Sequence, residues 1–275
     1  MIKIVESPRD GLQGLPDFIP TDQKVGYINQ LLKAGFDTVE VGSFVSEKAI
    51  PQMKDTAEVL SKLDVPQSGP KVMVLVGNRR GGEEAAGFEV VDRILYPFSI
   101  SKTFLARNLN SDFDKAKGTV NDLLEICDKG NKELIVYLTM AFGNHYGDPW
   151  SVNLVVDWAG YFGELGLKII PLSDILGDVT PERITEVYSE LTRVFPGTEF
   201  GIHLHARPGE WYHKVDAAWK AGVRRFDSVT GGIGGCPMAD DELVGNLDTL
   251  NLVSYCEENG IEHGLDANLL KDIEL

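Results

Sequence analysis

The chain has 275 residues, 43% of them hydrophobic, and a formal net charge of −16. That length buries roughly three-quarters of the unfolded surface and suits one α/β barrel, expected as a single catalytic domain over residues 1–275. The acidic balance disfavours nucleic acid and anionic membranes as partners, no apolar run reaches the roughly 20 residues of a membrane span, and "MIKIVESPRDG" lacks the charged and apolar regions of a signal peptide.

The elements alternate along the chain. A strand pattern "IKIVES" (2–7) runs into Arg9 and Asp10, and a helix pattern "TDQKVGYINQLLKAGF" follows with Thr21 and Asp22 as caps. The second strand is "TVEVGSF" (38–44). Val39 and Val41 point outward there, which leaves the Glu40 carboxylate inside and in need of a partner, with Arg9 available. Next come "KVMVLVG" (71–77) and "RILYPFS" (93–99), each trailed by basic residues: Arg79 and Arg80, then Lys102 and Arg107. These are the local charges that could offset the acidic surface for a phosphate-bearing ligand, and each also reads as a solvated loop charge. "ELIVYLTM" (133–140) leads to Asn144, and "KIIPLSD" (168–174) ends on Asp174. "TPERITEVYSELTRVF" sets Thr180 before Pro181, the favoured cap and first-turn pair of a helix. "EFGIHLH" (199–205) brings His203 and His205 onto one face above Gly201, and "RRFDSVT" (224–230) opens into "TGGIGGCPM" (230–238).

Eight such units over about 250 residues describe a (β/α)₈ TIM barrel, with a doubly wound open sheet as the weaker alternative. The residues of chemical interest then gather at the C-terminal ends of the strands, where barrel enzymes place their sites. Two imidazoles at i and i+2 with a carboxylate from Asp10 form a set able to bind a divalent metal while leaving open positions. Arg9 beside that set could steady a developing enolate or carboxylate oxygen, or simply pair with Glu40. Cys236 rides on a glycine-rich loop above the rim, placed to donate a proton or attack as a nucleophile. Cys127 and Cys256 fall in helix patterns and read as core. Three widely separated cysteines argue against a disulfide framework, so a reducing cytoplasm is expected.

"SPRDGLQ" (7–13), "TVEVGSFVSEKAIPQMKDTAEVL" (38–60), "IHLH" (202–205) and "GGIGGCP" (231–237) together resemble the 3-hydroxy-3-methylglutaryl-CoA lyases. These belong to the wider metal-dependent barrel superfamily of lyases, aldolases and Claisen-type synthases. The resemblance runs from about residue 4 to "HGLDANLLKDI". It implies Asp10, His203, His205 and Asn246 as ligands of Mg²⁺ or Mn²⁺, the two imidazoles making Mn²⁺ at least as suitable. It further implies Arg9 at the enolate oxygen and Cys236 as the acid that protonates the acetyl-CoA carbanion. Gln13, Glu40, Ser43 and Asp174 would complete the polar shell, with Asp174 or a histidine as base. The reaction so implied is a retro-Claisen cleavage to acetoacetate and acetyl-CoA.

Four departures lie at the same face. Ala206 and Arg207 stand where the family reads "HDTxG", and "SDILG" replaces "GDTIG". The Cys236–Asn246 spacing is one residue longer, and "AFGNHYGDPW" replaces "GCPYEG". They keep open a second reading, an aldolase acting on a free hydroxy or oxo acid, consistent with the acidic surface and with Arg207 as an extra carboxylate clamp. Under either reading Gln13, Ser43, Asn144 and Arg207 are expected to contact the substrate. A third reading, a non-catalytic metal- or acyl-binding protein, is opposed by the intact set Arg9, Asp10, His203, His205 and Cys236. The sequence leaves homo-oligomerisation open.

Overall fold

The computed structural model describes residues 1–207, 209–235, 244–273 and 275. Its strands are β1 (Lys3–Glu6), β2 (Thr38–Phe44), β3 (Lys71–Val76), β4 (Arg93–Ser99), β5 (Glu133–Thr139), β6 (Leu172–Asp174), β7 (Gly201–Leu204) and β8 (Arg225–Ser228). They pair in parallel in sequence order, and β8 returns to β1 through Lys3↔Arg225 to Glu6↔Ser228, closing a TIM barrel. Every strand is followed by helix, as parallel pairing requires.

Two apolar layers result from the alternation of side chains along each strand. Outward residues such as Val39, Val41, Ile94, Leu138 and Ile202 join the surrounding helices in the main core. Inward residues Val5, Met73, Leu75, Leu95, Ile135, Tyr137 and Ile169 form a second cluster inside the barrel. The rest of the interior, towards β7 and β8, is polar. Arg225 is fully buried there, and Gly201 on β7 makes room for it, since a Cβ at Gly201 would sit 3.1 Å from Arg225 Cδ. At the N-terminal face its guanidinium meets Asp37 at 2.8 Å, Glu199 at 3.4 Å and Thr38 at 3.1 Å.

Two local expectations change. The strand expected from residue 168 begins only at Leu172, because Pro171 has no N–H to donate and only its carbonyl joins the sheet, accepting from Leu138 N. Thr21 opens its helix (Thr21–Leu31) but does not cap it: its hydroxyl donates to Asp55 Oδ2 instead, at 2.8 Å. Thr180 does cap the helix Pro181–Val194, accepting from Arg183 N at 3.2 Å. Cys127 and Cys256 are buried in helices Phe113–Gly130 and Thr249–Glu258.

Candidate metal centre and active face

The helix Pro8–Gln13 starts directly after β1, with Pro8 in its first turn. One short turn therefore delivers Arg9, Asp10 and Gln13 to the rim. Arg9 Nε and Nη2 both reach Glu40 Oε1 at 2.7 Å, while Nη1 donates to Asp10 Oδ1 at 2.8 Å and Gln13 Oε1 at 2.9 Å. Gln13 Nε2 adds a 2.6 Å bond to the same Asp10 Oδ1. Asp10 is thus oriented through one oxygen, and its second oxygen faces the histidines. Glu40 finds the partner its buried position demanded.

His203 lies on β7. His205, one step past the strand, is held by an antiparallel bridge to Asn246. Each imidazole has its Nδ1 tied to an oxygen that can only accept: His203 to Asp227 Oδ2 at 3.2 Å, His205 to the Asp174 carbonyl at 2.7 Å. Both Nε2 atoms then turn towards Asp10 Oδ2, at 3.9 and 4.0 Å. Asn246 Nδ2 donates to that oxygen at 2.9 Å and to the Ile233 carbonyl at 3.0 Å. Ligand atoms of Asp10, His203 and His205 all lie within 4.8 Å of one another, and all three residues are buried.

Two orphaned atoms test whether a cation fits. His205 Nε2 and Asn246 Oδ1 are buried without a hydrogen-bond partner among the described residues. An unpartnered buried acceptor costs about 1–3 kcal/mol. Both atoms are metal donors, and both belong to the group around Asp10 Oδ2. Nitrogen and oxygen donors in this mixture suit a divalent ion of the Mg²⁺–Mn²⁺ type.

The electrostatics agree. Burial alone would raise the Asp10 pKa, but Arg9 and the two histidines overcome it and hold the carboxyl at about 2. Glu40 is pushed up by burial, with Arg9 opposing. Burial and the neighbouring His203 lower His205 to about 4, so its imidazole is neutral. For His203 burial is outweighed by the hydrogen bond to Asp227 and the Asp10 charge, and its pKa lies above the ordinary value.

The remaining sequence candidates divide. Ser43 is buried at the end of β2 with its hydroxyl unpaired among the described residues, and it lines a cleft with Lys48, Asn78 and Arg80. Arg207 is exposed at the rim, and its side chain has no bonded partner among the described residues. Asp174, raised to about 6 by burial, does not point at the histidines. Its carboxylate accepts from Gly177 N at 3.1 Å and Val179 N at 3.4 Å and lies 3.5 Å from Lys214 Nζ. Asn144 is likewise occupied by its own loop: its oxygen accepts from Tyr146 N and Asp148 N, and its amide donates to the Asp148 carbonyl. Cys236 lies outside the described residues. Of the glycines before it, Gly234 packs on the helix that carries Asp10. Gly234 has φ +81°, and a Cβ there would stand 2.6 Å from the Asp10 carbonyl oxygen.

Three participants escaped the sequence reading. Asp227 supports His203, Tyr137 donates to Asp227 at 2.7 Å, and Lys214 donates to the Gly177 carbonyl at 2.7 Å and the His205 carbonyl at 3.3 Å. The signal for Asp227 was present, since a charged residue between Phe226 and Ser228 in a buried strand needs a partner, as Glu40 did.

Residues 2–274 match the family model described as HMGL-like. Hydroxymethylglutaryl-CoA lyase YngG of Bacillus subtilis is 30% identical over 255 residues, covering 93% of this chain and 84% of that protein. The human mitochondrial hydroxymethylglutaryl-CoA lyase is 31% identical over 270 residues, 98% of this chain and 82% of that one. Among solved structures, an HMG-CoA lyase from Acinetobacter baumannii in complex with coenzyme A and 3-methylmalate superposes with a TM-score of 0.91. It is 30% identical and covers 99% of this chain and 88% of its own.

Proposed function

The chain belongs to the HMGL-like family, and on that premise we propose that it is a carbon–carbon lyase cleaving 3-hydroxy-3-methylglutaryl-CoA to acetoacetate and acetyl-CoA. One observation carries the proposal from family to chemistry. Asp10, His203 and His205 converge within 4.8 Å beside the unpartnered His205 Nε2 and Asn246 Oδ1.

Asp10 Oδ2, both Nε2 atoms and Asn246 Oδ1 would hold a divalent cation, with Mn²⁺ favoured over Mg²⁺ by the two imidazoles. When bound, that ion lowers the pKa of a coordinated hydroxyl and polarises carbonyl oxygens. The protein's own groups do the rest. Arg9, clamped by Glu40, Asp10 and Gln13, brings a fixed positive charge beside Asp10, suited to an enolate oxygen. Its three anchors spare the reorganisation that a mobile cation would need. Asp174 holds the loop after β6 through Gly177 and Val179, and its carbonyl sets the tautomer of His205. That geometry supports Asp174 as a positioning group, and with both nitrogens of each histidine engaged, neither imidazole is free to take the hydroxyl proton. Ser43 and Arg207 offer unpaired polar groups to the substrate, and Cys236, next along the chain from Gly235, delivers the proton to the departing carbanion.

The test is purified protein with Mn²⁺ or Mg²⁺, assayed for acetoacetate from the CoA thioester and for cleavage of free hydroxy and oxo acids. Acetoacetate from the thioester, abolished by chelation, is expected. Cleavage of free acids alone would overturn the substrate assignment and install the aldolase reading in its place.

A further inference from the structure

Asp227 is 2% exposed, yet nothing in the proposed chemistry uses it. It sits on β8 directly opposite His203 in the parallel ladder, the two being Cα partners. Its Oδ2 receives two hydrogen bonds from two other strands, from His203 Nδ1 at 3.2 Å and from the Tyr137 hydroxyl at 2.7 Å. Tyr137 comes from β5, which pairs with neither β7 nor β8, so its ring reaches across the barrel interior. There it meets His203 edge-on, centroids 6.4 Å apart. Arg225, two residues earlier on β8, is a buried charge of opposite sign. A buried carboxylate is costly unless paired and hydrogen-bonded, so three strands cooperating to hold one calls for an explanation.

We propose that Asp227 is the positioning residue of the metal centre, fixing His203 with its proton on Nδ1 and its Nε2 lone pair turned to Asp10, with Tyr137 as its brace. A carboxylate oxygen accepts and cannot donate to an imidazole, so the bond to Asp227 requires the proton on Nδ1 and leaves the Nε2 lone pair for a cation beside Asp10. The ring then cannot turn over without breaking that bond and the edge contact with Tyr137. The two histidines are held unequally: His205 leans on a neutral carbonyl, His203 on an anion. An anionic partner makes an imidazole the stronger donor to a cation, and groups of this kind contribute about 10–100-fold to metal affinity. His203 is therefore the dominant nitrogen ligand and His205 the weaker one. The unpaired Oδ1 of Asp227 leaves the pair free of competing donors among the described residues.

The inference rests on the metal-dependent reading above, and its test separates the two. Ring ¹⁵N spectra of the metal-free protein, recorded at a pH where the imidazole is neutral, report the His203 tautomer, and calorimetric Mn²⁺ titration reports affinity. Wild type should carry its proton on Nδ1 and bind Mn²⁺. Asp227→Ala should lose that tautomer at His203, keep it at His205, and bind Mn²⁺ about 10–100-fold more weakly. Tyr137→Phe, which keeps the ring but loses the hydroxyl, should retain the tautomer and lose less than about tenfold in affinity. Affinity within about twofold of wild type in Asp227→Ala, or a wild-type His203 protonated on Nε2, overturns the proposal. Should the alanine variant not fold, Asp227→Asn has the same shape and takes its place. A neutral amide must then weaken Mn²⁺ binding by at least about threefold, and unchanged affinity overturns the proposal. A wild-type protein that binds neither Mn²⁺ nor Mg²⁺ would overturn the functional reading along with it. Binding without thioester cleavage would overturn the substrate assignment and leave Asp227's role standing.

Discussion

Glu6 is a carboxyl group that the fold holds against its own preference. It ends β1, is fully buried, and has its pKa raised from 4.5 to about 7. Burial is the main cause, and the negative charge of Asp248 adds to it; the Thr230 N–H and the Thr249 hydroxyl oppose it. Its oxygens accept from Thr230 N and Thr249 Oγ1, both at 2.7 Å, and Thr249 also lies 2.9 Å from Ser228 Oγ. Glu6→Gln would keep this arrangement. The amide oxygen still accepts from Thr230, and the amide nitrogen donates to the Thr249 oxygen, which can donate onward to Ser228. Linkage fixes the sign. Below pH 4.5 both states bind the proton and there is no penalty. Between 4.5 and about 7 the unfolded chain releases it first, so wild-type stability falls with rising pH; above that the deficit is complete. The gap corresponds to about 3 kcal/mol. Glu6→Gln should therefore match wild type at pH 4 and exceed it by up to about 3 kcal/mol at pH 8, or about 6–10 °C in Tm for a chain of this size. Urea and thermal unfolding of the metal-free proteins across that range would measure it. A variant less stable than wild type at pH 8, or a difference that does not change with pH, would refute the reasoning.

Three further substitutions probe the rim. Gly234→Ala places a Cβ 2.6–2.8 Å from the backbone of Asp10 and Gly11 at φ +81°, a strain of about 1–3 kcal/mol that ought to push the two segments apart. Calorimetry should then show weaker Mn²⁺ binding together with a lower Tm. Lys214→Met leaves the Gly177 and His205 carbonyls and the Asp174 carboxylate without their shared cation. A loss of about 3 kcal/mol is expected, seen as a Tm lower by about 6–10 °C. Asn246→Ala removes the unpartnered Oδ1 and the donor to Asp10 Oδ2. Metal affinity should fall at least about tenfold with little change in metal-free Tm, and an unaltered titration curve would remove Asn246 from the ligand set.

The barrel was legible because buried parallel strands announce themselves. "TVEVGSF" and "RILYPFS" are observed at the limits read from the sequence. Polar residues at strand ends likewise marked the rim: Arg9, Asp10, Gln13, Glu40 and Asn246 share one bonded cluster, which His203 and His205 face at 3.9 and 4.0 Å from Asp10 Oδ2. What the sequence concealed was competition for side-chain atoms. The Asn144 amide and the Asp174 carboxylate stand at strand ends, yet nearby main-chain N–H groups claim them, an outcome set by loop conformation and not by spacing. Thr21 shows the same effect over a distance, losing its cap to Asp55, 34 residues on. Tyr137 and Asp227 are separated by 90 positions and on non-adjacent strands, so only the closed cylinder makes them neighbours.

The β1–β8 seam also dictates when the centre can exist. Asp10 follows β1, and its partner Asn246 follows β8, 236 residues later. β7 reaches β1 only through β8, so a partial barrel ending before β8 lacks the closure that sets the histidines beside Asp10. Cation binding at this site would thereby be a late event, reserved for molecules whose last strand has already docked on the first. Contacts so distant in sequence carry a large loop-closure cost and form slowly. The ion would then act as a latch on the completed ring, stabilising the closed form by mass action and sparing earlier intermediates from being trapped by premature coordination.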